Sequence, residues 1–229
     1  MHILVDKKMP GKAKEILCRY GNVIEFYSQH IVYEAISGHP DIFFCQTPET
    51  LIAAPNTPQH ILGMLSEHNI DYTTGHNPLE SAYPRTAFYN AVVHNDMLIH
   101  NLSITDSSIT TQASIKIKIN VNQGYTRCNL MGLPDNSFIT SDKGIETTLK
   151  KENFNTLFIN PGNIKLTGFA HGFFGGACGI AKDKFFICGS LKYLHDPGVL
   201  KLFIEKSGLE VVELYDGQVM DVGSILFVT

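Results

Sequence analysis

An internal repeat of about 40 to 50 residues is the strongest constraint on the fold of this chain. Each copy reads as a strand, a turn, a second strand, a helix and a third strand. The clearest copy begins at Gly124 and contains the turn Pro134-Asp135-Asn136, the strand SFITSD and the helical segment GIETTLKKEN. Because one such unit cannot bury its apolar face alone, a repeat of this kind decides the architecture before any single motif does.

The other copies begin at Gly38, at the segment AFYNAVVHNDMLIHN and at Gly175, and a fifth copy is divided between the two ends of the chain. In this last copy DVGSILFVT supplies one strand, MHILVDKK pairs with it, and the helix after Pro10 and the strand VIEFY complete the unit. Five units joined in this way would leave no free sheet edge. The sequence therefore predicts an α/β fold, a five-bladed pseudo-symmetric propeller of ββαβ-type units with the last unit closed by both termini. It also predicts one domain over residues 1–229.

Helix signals support these units. Asp196 and Pro197 are typical of an N-cap and a first helical position, and Gly208 stands where that helix should end. Its expected apolar face consists of Val199, Leu200, Phe203 and Ile204.

Composition narrows the function classes. The formal net charge of −4 argues against a nucleic-acid partner and is compatible with a cationic ligand. No apolar run is long enough for a membrane span, and the first residues lack the basic region and the apolar stretch expected of a signal sequence. The five cysteines are scattered without a CxxC pair, which favours reduced thiols and a cytoplasmic location. No cofactor or metal is expected, and the sequence is compatible with a homodimer.

Polar and very small residues occupy equivalent positions in the units, where a structural strand would carry valine or isoleucine. A cysteine and a histidine that converge with carboxylates are the constellation expected for catalysis by a thiolate nucleophile. The positions, in unit order from Gly38, are His39 and Asp41; Asn90; Cys128 and Asn129; His171, Gly176 and Cys178; and Asp221, Gly223 and Ser224.

These motifs resemble the pentein superfamily of guanidino-group-modifying enzymes and their non-catalytic relatives. The segment Gly38-His39-Pro40-Asp41 is similar to the superfamily's Gly-His-x-Asp motif, and the segment from Gly124 to Cys128 resembles, more loosely, the glycine-rich stretch before its catalytic cysteine. The resemblance implies His39 as general acid/base, Asp41 as an orienting or substrate-binding carboxylate, and Cys128 as nucleophile. It covers the whole chain as architecture.

The chain departs from the superfamily in its last unit. Enzymes of the superfamily generally carry the nucleophile there, whereas this chain reads Val222-Gly223-Ser224 and places Cys128 two units earlier. Either the site is permuted around Cys128 or the superfamily's active site is absent. An uncharacterised subfamily fits better than any named enzyme.

Two function classes remain. The first is a Cys-dependent hydrolase, deiminase or amidinotransferase for a small guanidino or amidino compound, with the cation held between Asp41 and Asp221 and the rest of the ligand near Asn90, Asn129 and His171. The second is a non-catalytic pentein that binds a protein, ribosomal or small-molecule partner. The shared position of His39 and Cys128 favours the enzyme. The alternative for these two residues is structural, as a small buried thiol and a turn histidine.

A metal held by His39, Asp41, His171 and Cys178 is a minor alternative, because their spacing matches no common ligand pattern.

Overall fold

Five three-stranded sheets make up the β structure of residues 1–228, the part of the chain that the computed structural model describes. In each sheet the first strand runs antiparallel to the second and the third runs parallel to it, with a helix between the second and third strands. The repeat predicted from the sequence is therefore present as five sheets of one topology.

The elements follow the chain in the predicted order. The amino-terminal part contains β1 (His2–Asp6), α1 (Gly11–Leu17), β2 (Asn22–Phe26), α2 (Pro40–Phe43), β3 (Phe44–Gln46), β4 (Leu51–Ala53), α3 (Gln59–Glu67) and β5 (Tyr72–Thr74). The middle contains β6 (Val92–His94), β7 (Met97–His100), α4 (Ser107–Thr110), β8 (Ile117–Asn120), α5 (Thr126–Asn129), β9 (Leu130–Gly132), β10 (Phe138–Thr140), α6 (Lys143–Lys151) and β11 (Thr156–Phe158). The last part contains β12 (Cys178–Ala181), β13 (Lys184–Ile187), α7 (Pro197–Lys206), β14 (Glu210–Glu213) and β15 (Leu226–Val228).

The fifth sheet is assembled from both ends of the chain, as the repeat predicted. β1 pairs antiparallel with β15, with His2 opposite Val228, and parallel with β2. First strands of different sheets lie against one another, since β3 contacts β6, β6 contacts β9 and β12 contacts β15. The sheets nevertheless remain five separate groups of three strands. Closure into one propeller remains a prediction.

The segments that carry the candidate residues differ from the prediction. The sequence predicts a strand that opens at Gly38, whereas Pro40–Phe43 form a helical turn and the strand starts only at Phe44. The same turn recurs at Thr126–Asn129, just before β9. All four residues of α2 are buried, so the segment has no solvent-exposed face. The sequence therefore shows no alternation of polar and apolar residues at helical spacing here.

Helix ends follow the sequence signals in part. Helix α7 stops before Gly208, whose φ of +82° is the left-handed conformation that glycine adopts most easily. The predicted N-cap role of Asp196 is wrong, because this residue has a φ of +51° and its side chain makes no capping hydrogen bond. Val199 is also wrong as a core residue, since it is 56% exposed, whereas Leu200 and Ile204 are buried.

No helix within residues 1–228 combines the length and the apolar composition that a membrane span requires.

Candidate functional site

The segments that precede the first strands are joined to one another by backbone hydrogen bonds. The N–H of Asp41 donates to the carbonyl of Gly223 over 3.1 Å, and the N–H of Ser224 donates to the carbonyl of Gly176 over 2.7 Å. The N–H of Arg127 donates to the carbonyl of Asn90 over 2.9 Å. These bonds connect segments that lie far apart in the sequence, and they bring the candidate side chains of different units together. Most of the candidate side chains therefore lie on turns before the first strands, rather than within the strands as predicted.

Cys128 lies at this junction with its thiol 3.3 Å from the Asp41 carboxylate, Sγ to Oδ2. The Asn90 side chain holds Cys128 at two points: its Nδ2 donates to Sγ over 3.2 Å, and its Oδ1 accepts from the Cys128 N–H over 3.1 Å. Burial, and then the negative charges of Asp41 and Asp221, raise the pKa of Cys128 well above its ordinary value. The residue is therefore a neutral thiol near pH 7.

His39 lies between two other carboxylates. Its Nε2 is 3.8 Å from Asp6 Oδ2, and its Nδ1 is 3.9 Å from Asp221 Oδ1. Burial, followed by the charge of Lys8, lowers the pKa of His39 to about 3, so the ring is neutral near pH 7. Nδ1 is buried and has no hydrogen-bond partner within residues 1–228. No hydrogen bond joins His39 to Cys128 in that part of the chain, although both line the same cavity.

Three buried carboxylates surround these groups. Burial raises the pKa of Asp6 to about 6 and, together with the charge of Asp41, raises that of Asp221 to about 7. The pKa of Asp41 is also raised by burial, although hydrogen bonds from Ser224, Cys128 and Asn90 and the charge of Arg127 oppose the shift.

The sequence reasoning missed Asp6, which ends an apolar strand and carries no motif.

Glycines provide the space for these acids. A Cβ atom at Gly38 would overlap the Asp6 carboxyl group, and one at Gly176 would overlap that of Asp221. Glycine at positions 38 and 176 is therefore explained by the close approach of a carboxylate.

A cavity of about 130 Å³ opens onto Cys128, His39 and Asp221. These three residues are 3%, 2% and 4% exposed, whereas Phe169 at the outer end is 53% exposed, so the titratable groups lie at the inner end. Aromatic and aliphatic side chains form the remaining wall: Tyr33, Ile36, Tyr125, Leu166, Phe169, His171 and Phe173.

The remaining candidate residues occupy distinct places. His171 lines the cavity, where its Nδ1 lies 2.9 Å from the carbonyl of Gly172. Asn90 contacts Cys128 rather than the cavity, and its Nδ2 also donates to the Asp41 carbonyl over 2.9 Å. Asn129 is turned away: its Nδ2 donates to the Tyr125 carbonyl and its Oδ1 accepts from the Ser141 hydroxyl, each over 2.9 Å. The structure therefore gives both asparagines protein partners.

Ser224 takes part in the site through Asp41. Its hydroxyl donates to Asp41 Oδ2, the same oxygen that faces the Cys128 thiol. The other oxygen, Oδ1, is buried without a hydrogen-bond partner among residues 1–228.

The described residues contain no group of three or more His, Cys, Asp or Glu side chains arranged to hold a metal ion.

The charge balance of the site favours a cation. Asp221 lines the inner end of the cavity, Asp6 lies beside His39 and Asp41 lies beside Cys128, and the cavity wall contains no lysine or arginine. Arg127 is adjacent in sequence, but its guanidinium donates to the carbonyls of Gly175 and Cys178. A planar cation rich in N–H donors matches such a set of carboxylates.

Two solved structures resemble the whole chain. One is SxtG, an amidinotransferase from Microseira wollei in the saxitoxin biosynthetic pathway, with a TM-score of 0.55 and 10% identity over 92% of this chain and 87% of that one. The other is DDAH from Pseudomonas aeruginosa, a Cys-to-Ser mutant complexed with citrulline, with a TM-score of 0.53 and 9% identity over 93% of this chain and 91% of that one. Both are guanidino-modifying enzymes of the pentein fold, and this chain therefore has the pentein fold.

The sequence comparisons add a family without an assigned function. A model described as "Family of unknown function (DUF6873)" matches residues 4–226. No curated protein matches the sequence.

Proposed function

We propose that this chain, which belongs to the family of unknown function DUF6873 and has a pentein fold, is a cysteine-dependent enzyme acting on a small guanidino or amidino compound. Cys128 is the nucleophile, His39 is the general acid/base, and Asp41 and Asp221 bind the cation. The reaction is hydrolysis of a C–N bond or transfer of the amidino group to an acceptor amine.

One observation carries this proposal: a buried thiol, a neutral imidazole and a carboxylate line one cavity that other carboxylates surround. The Cys128 thiol lies 3.3 Å from Asp41, and both Cys128 and His39 line the cavity with Asp221. A structural cysteine does not need carboxylates beside it, since they raise its pKa and interact with it unfavourably when it ionises. A bound cation reverses this effect, which makes thiolate formation dependent on substrate.

The first half of the reaction uses the thiol proton. The positive charge of the substrate lowers the pKa of Cys128, and the thiol gives its proton to the neutral His39 as sulfur attacks the guanidinium carbon. His39 then donates this proton to the departing amine when the C–N bond breaks. The result is a thiouronium group on Cys128 and a free amine.

The second half regenerates the enzyme. His39 takes a proton from a water molecule that attacks the same carbon, the C–S bond breaks to release a ureido product, and His39 returns the proton to the Cys128 sulfur. An acceptor amine in place of water would give amidino transfer instead. Asp41 and Asp221 hold the planar cation in either case, because each carboxylate can accept two N–H groups.

Alkylation with a charged and a neutral reagent tests the proposal. Chloroacetamidine carries the amidinium group that the site should attract, whereas chloroacetamide has similar size and no charge. We expect chloroacetamidine to modify Cys128 at least about tenfold faster than chloroacetamide does, a difference that mass spectrometry of peptides measures. Cys18 is exposed and serves as an internal reference that should react without this preference.

Matched variants define the outcomes. A Cys128→Ser variant should lose the selective modification and retain that of Cys18, and a His39→Gln variant should slow turnover of a guanidino substrate panel. Modification of Cys18 alone by both reagents would contradict the proposal.

A binding protein for the same class of cation is the second candidate. It is favoured by the pKa of Cys128, which lies well above its ordinary value, and by Ser224, which stands in the last unit, where the resemblance to the superfamily leads us to expect the nucleophilic cysteine. It predicts binding of a guanidinium compound without formation of a ureido product or transfer to an amine.

A further inference from the structure

We infer that the cavity selects a guanidinium or amidinium ion with an apolar N-substituent and without a carboxylate. The inference deepens the proposed function by naming the class of substrate. It concerns recognition alone, and it would also hold for a protein that binds such a cation without transforming it.

The inner end of the cavity provides for the cationic head. Asp221 lines it directly, and Asp6 and Asp41 lie within the same cluster, where the charge of Asp41 raises the pKa of both neighbours. Asp41 Oδ1 and His39 Nδ1 are buried polar atoms without partners within residues 1–228. Buried polar atoms in proteins are almost always hydrogen-bonded, so an N–H-rich cation would complete a set of bonds that the protein leaves unfinished.

The outer end of the cavity provides for an apolar tail. The rings of Tyr33 and Phe169 lie 6.0 Å apart between centroids, and Phe173 and Leu166 complete this wall. The Tyr33 hydroxyl donates to the Tyr125 hydroxyl over 3.4 Å, and the Tyr125 hydroxyl bonds in turn to Thr86. Because these hydroxyls bond to each other, the rings offer the tail carbon surfaces. Alkyl or aryl carbons gain from contact with such surfaces.

The cavity provides nothing for a carboxylate. No lysine or arginine lines it, Arg127 donates to two backbone carbonyls, and Lys8 forms a salt bridge of 2.6 Å to Glu34. A carboxylate on the tail would therefore lie against apolar side chains without a compensating cation, in a cavity whose inner end already carries the acid Asp221. Unfavourable juxtaposition of like charges is a common source of specificity. Free α-amino acids with a guanidino side chain should accordingly bind poorly.

Calorimetric binding of two matched compounds tests this inference. Butylguanidine and 4-guanidinobutyrate share the guanidinium head and the same number of carbon atoms in the tail, and they differ in the terminal carboxylate. The titration uses the Cys128→Ser protein at pH 8, where no turnover at Cys128 occurs and Asp221, with a pKa of about 7, is ionised. We expect butylguanidine to bind at least about tenfold more tightly.

Two results would overturn the inference: binding of 4-guanidinobutyrate as tight as that of butylguanidine, or binding of neither compound. Failure of the proposed function is distinguishable, because an enzyme that does not alkylate at Cys128 or turn over substrate can still show the predicted preference in this titration.

A pair of arginine substitutions locates the tail. Phe169→Arg places a cation at the outer end of the cavity, at a residue that is 53% exposed, so the folded state should tolerate it. We expect the preference for butylguanidine to fall about tenfold in this variant. Leu202→Arg, on the surface of α7 at a residue that is 60% exposed, adds the same charge outside the cavity wall and should leave the preference unchanged. An unchanged preference in Phe169→Arg, or an equal fall in both variants, would overturn the placement of the tail.

Discussion

Asp221 combines two opposing influences within one side chain. Its Oδ2 accepts the N–H of Phe173 over 2.9 Å and its Oδ1 accepts the N–H of Gly223 over 3.1 Å, and both bonds favour the ionised form. Burial and the charge of Asp41 outweigh them and raise its pKa to about 7. The residue is therefore held in position by the backbone while its charge is destabilised. This is a common property of functional carboxylates.

The raised pKa of Asp221 predicts a loss of stability as the pH rises. The folded protein binds the Asp221 proton more tightly than the unfolded chain, so the free energy of unfolding should fall between about pH 4 and pH 7 and level off above pH 7, where Asp221 is ionised in both states. Asp6, with a pKa of about 6, adds to the fall at the lower end. His39 contributes an opposite slope, but only below its ordinary value of 6.5, because its folded pKa is lowered.

The free energy of unfolding of Asp221→Asn, measured with urea at pH 5, 6 and 7, should therefore depend less steeply on pH than that of the original protein. An identical slope in the two proteins would contradict the raised pKa. The exposed residue Asp216 offers a matched control, since Asp216→Asn should keep the original slope over this range.

Sequence reasoning identified residues of this cluster only where a motif or the repeat pointed to them. His39 and Asp41 stand in one short motif, and comparison of equivalent positions in the units led to Cys128 and Asp221. Asp6 is a single polar residue at the end of a buried strand, and its role arises only because β1 ends against Gly38. Asn129 is the opposite case, a residue that the sequence pointed to and that the structure turns away from Cys128. It stands beside Cys128 in sequence, yet the helical turn directs its side chain to Ser141.

At the level of elements, α6 and α7 have similar lengths and different beginnings. Asp142 caps α6, because its Oδ1 accepts the N–H of Ile145 over 2.8 Å. Asp196 stands at the same position of α7 without such a bond. An aspartate before a helix matches the sequence rule for an N-cap in both cases. The rule does not reveal whether the backbone conformation of that residue allows its side chain to cap the helix.

Replacement of each aspartate measures this difference. Asp142→Ala should lower the free energy of unfolding by about 1 kcal/mol, since it removes a capping bond, and the bond from Gln123 to the same carboxylate adds to the loss. Asp196→Asn should change stability by less than about 0.5 kcal/mol, because asparagine tolerates the left-handed conformation and no cap is lost. Urea unfolding checks both values. A loss at Asp196 as large as that at Asp142 would contradict the structural difference.

The order and type of the longer elements could be predicted because each has an apolar pattern of sufficient length. Helices α3, α6 and α7 span nine, nine and ten residues, which is enough for one buried face to be recognised. Helical turns α2 and α5 have four residues each and stand before apolar strands, so their patterns merge with those strands. The site therefore lies on the elements that sequence patterns describe least well.

For the whole molecule, the sheet that contains β1 and β15 joins segments more than 220 residues apart. His2 lies opposite Val228 and Leu4 lies opposite Leu226. The side chain of Gln46 also donates to the Phe227 carbonyl over 2.6 Å, which links β15 to the neighbouring unit. The second contact places β15 between its own sheet and the next unit.

A chain that ends at residue 225 should therefore lose cooperative folding. It would leave one edge of β1 unpaired and remove the buried side chains Leu226, Phe227 and Val228. We expect no single sharp transition in calorimetry and a loss of near-ultraviolet circular dichroism. The control Phe227→Ala should keep a sharp transition and lose about 3 kcal/mol of stability. A truncated chain with the original transition would contradict this dependence on β15.

The raised pKa values of Asp6 and Asp221 have a further consequence for the molecule. Near pH 6 both carboxyl groups carry a proton for a substantial fraction of the time, and near pH 7 Asp221 still does. A cation that enters the cavity favours their ionised forms and therefore displaces protons into the solvent. An organic cation and protons therefore compete for the same carboxylates. The fraction of the protein that binds the cation should accordingly depend on pH as well as on the concentration of the cation.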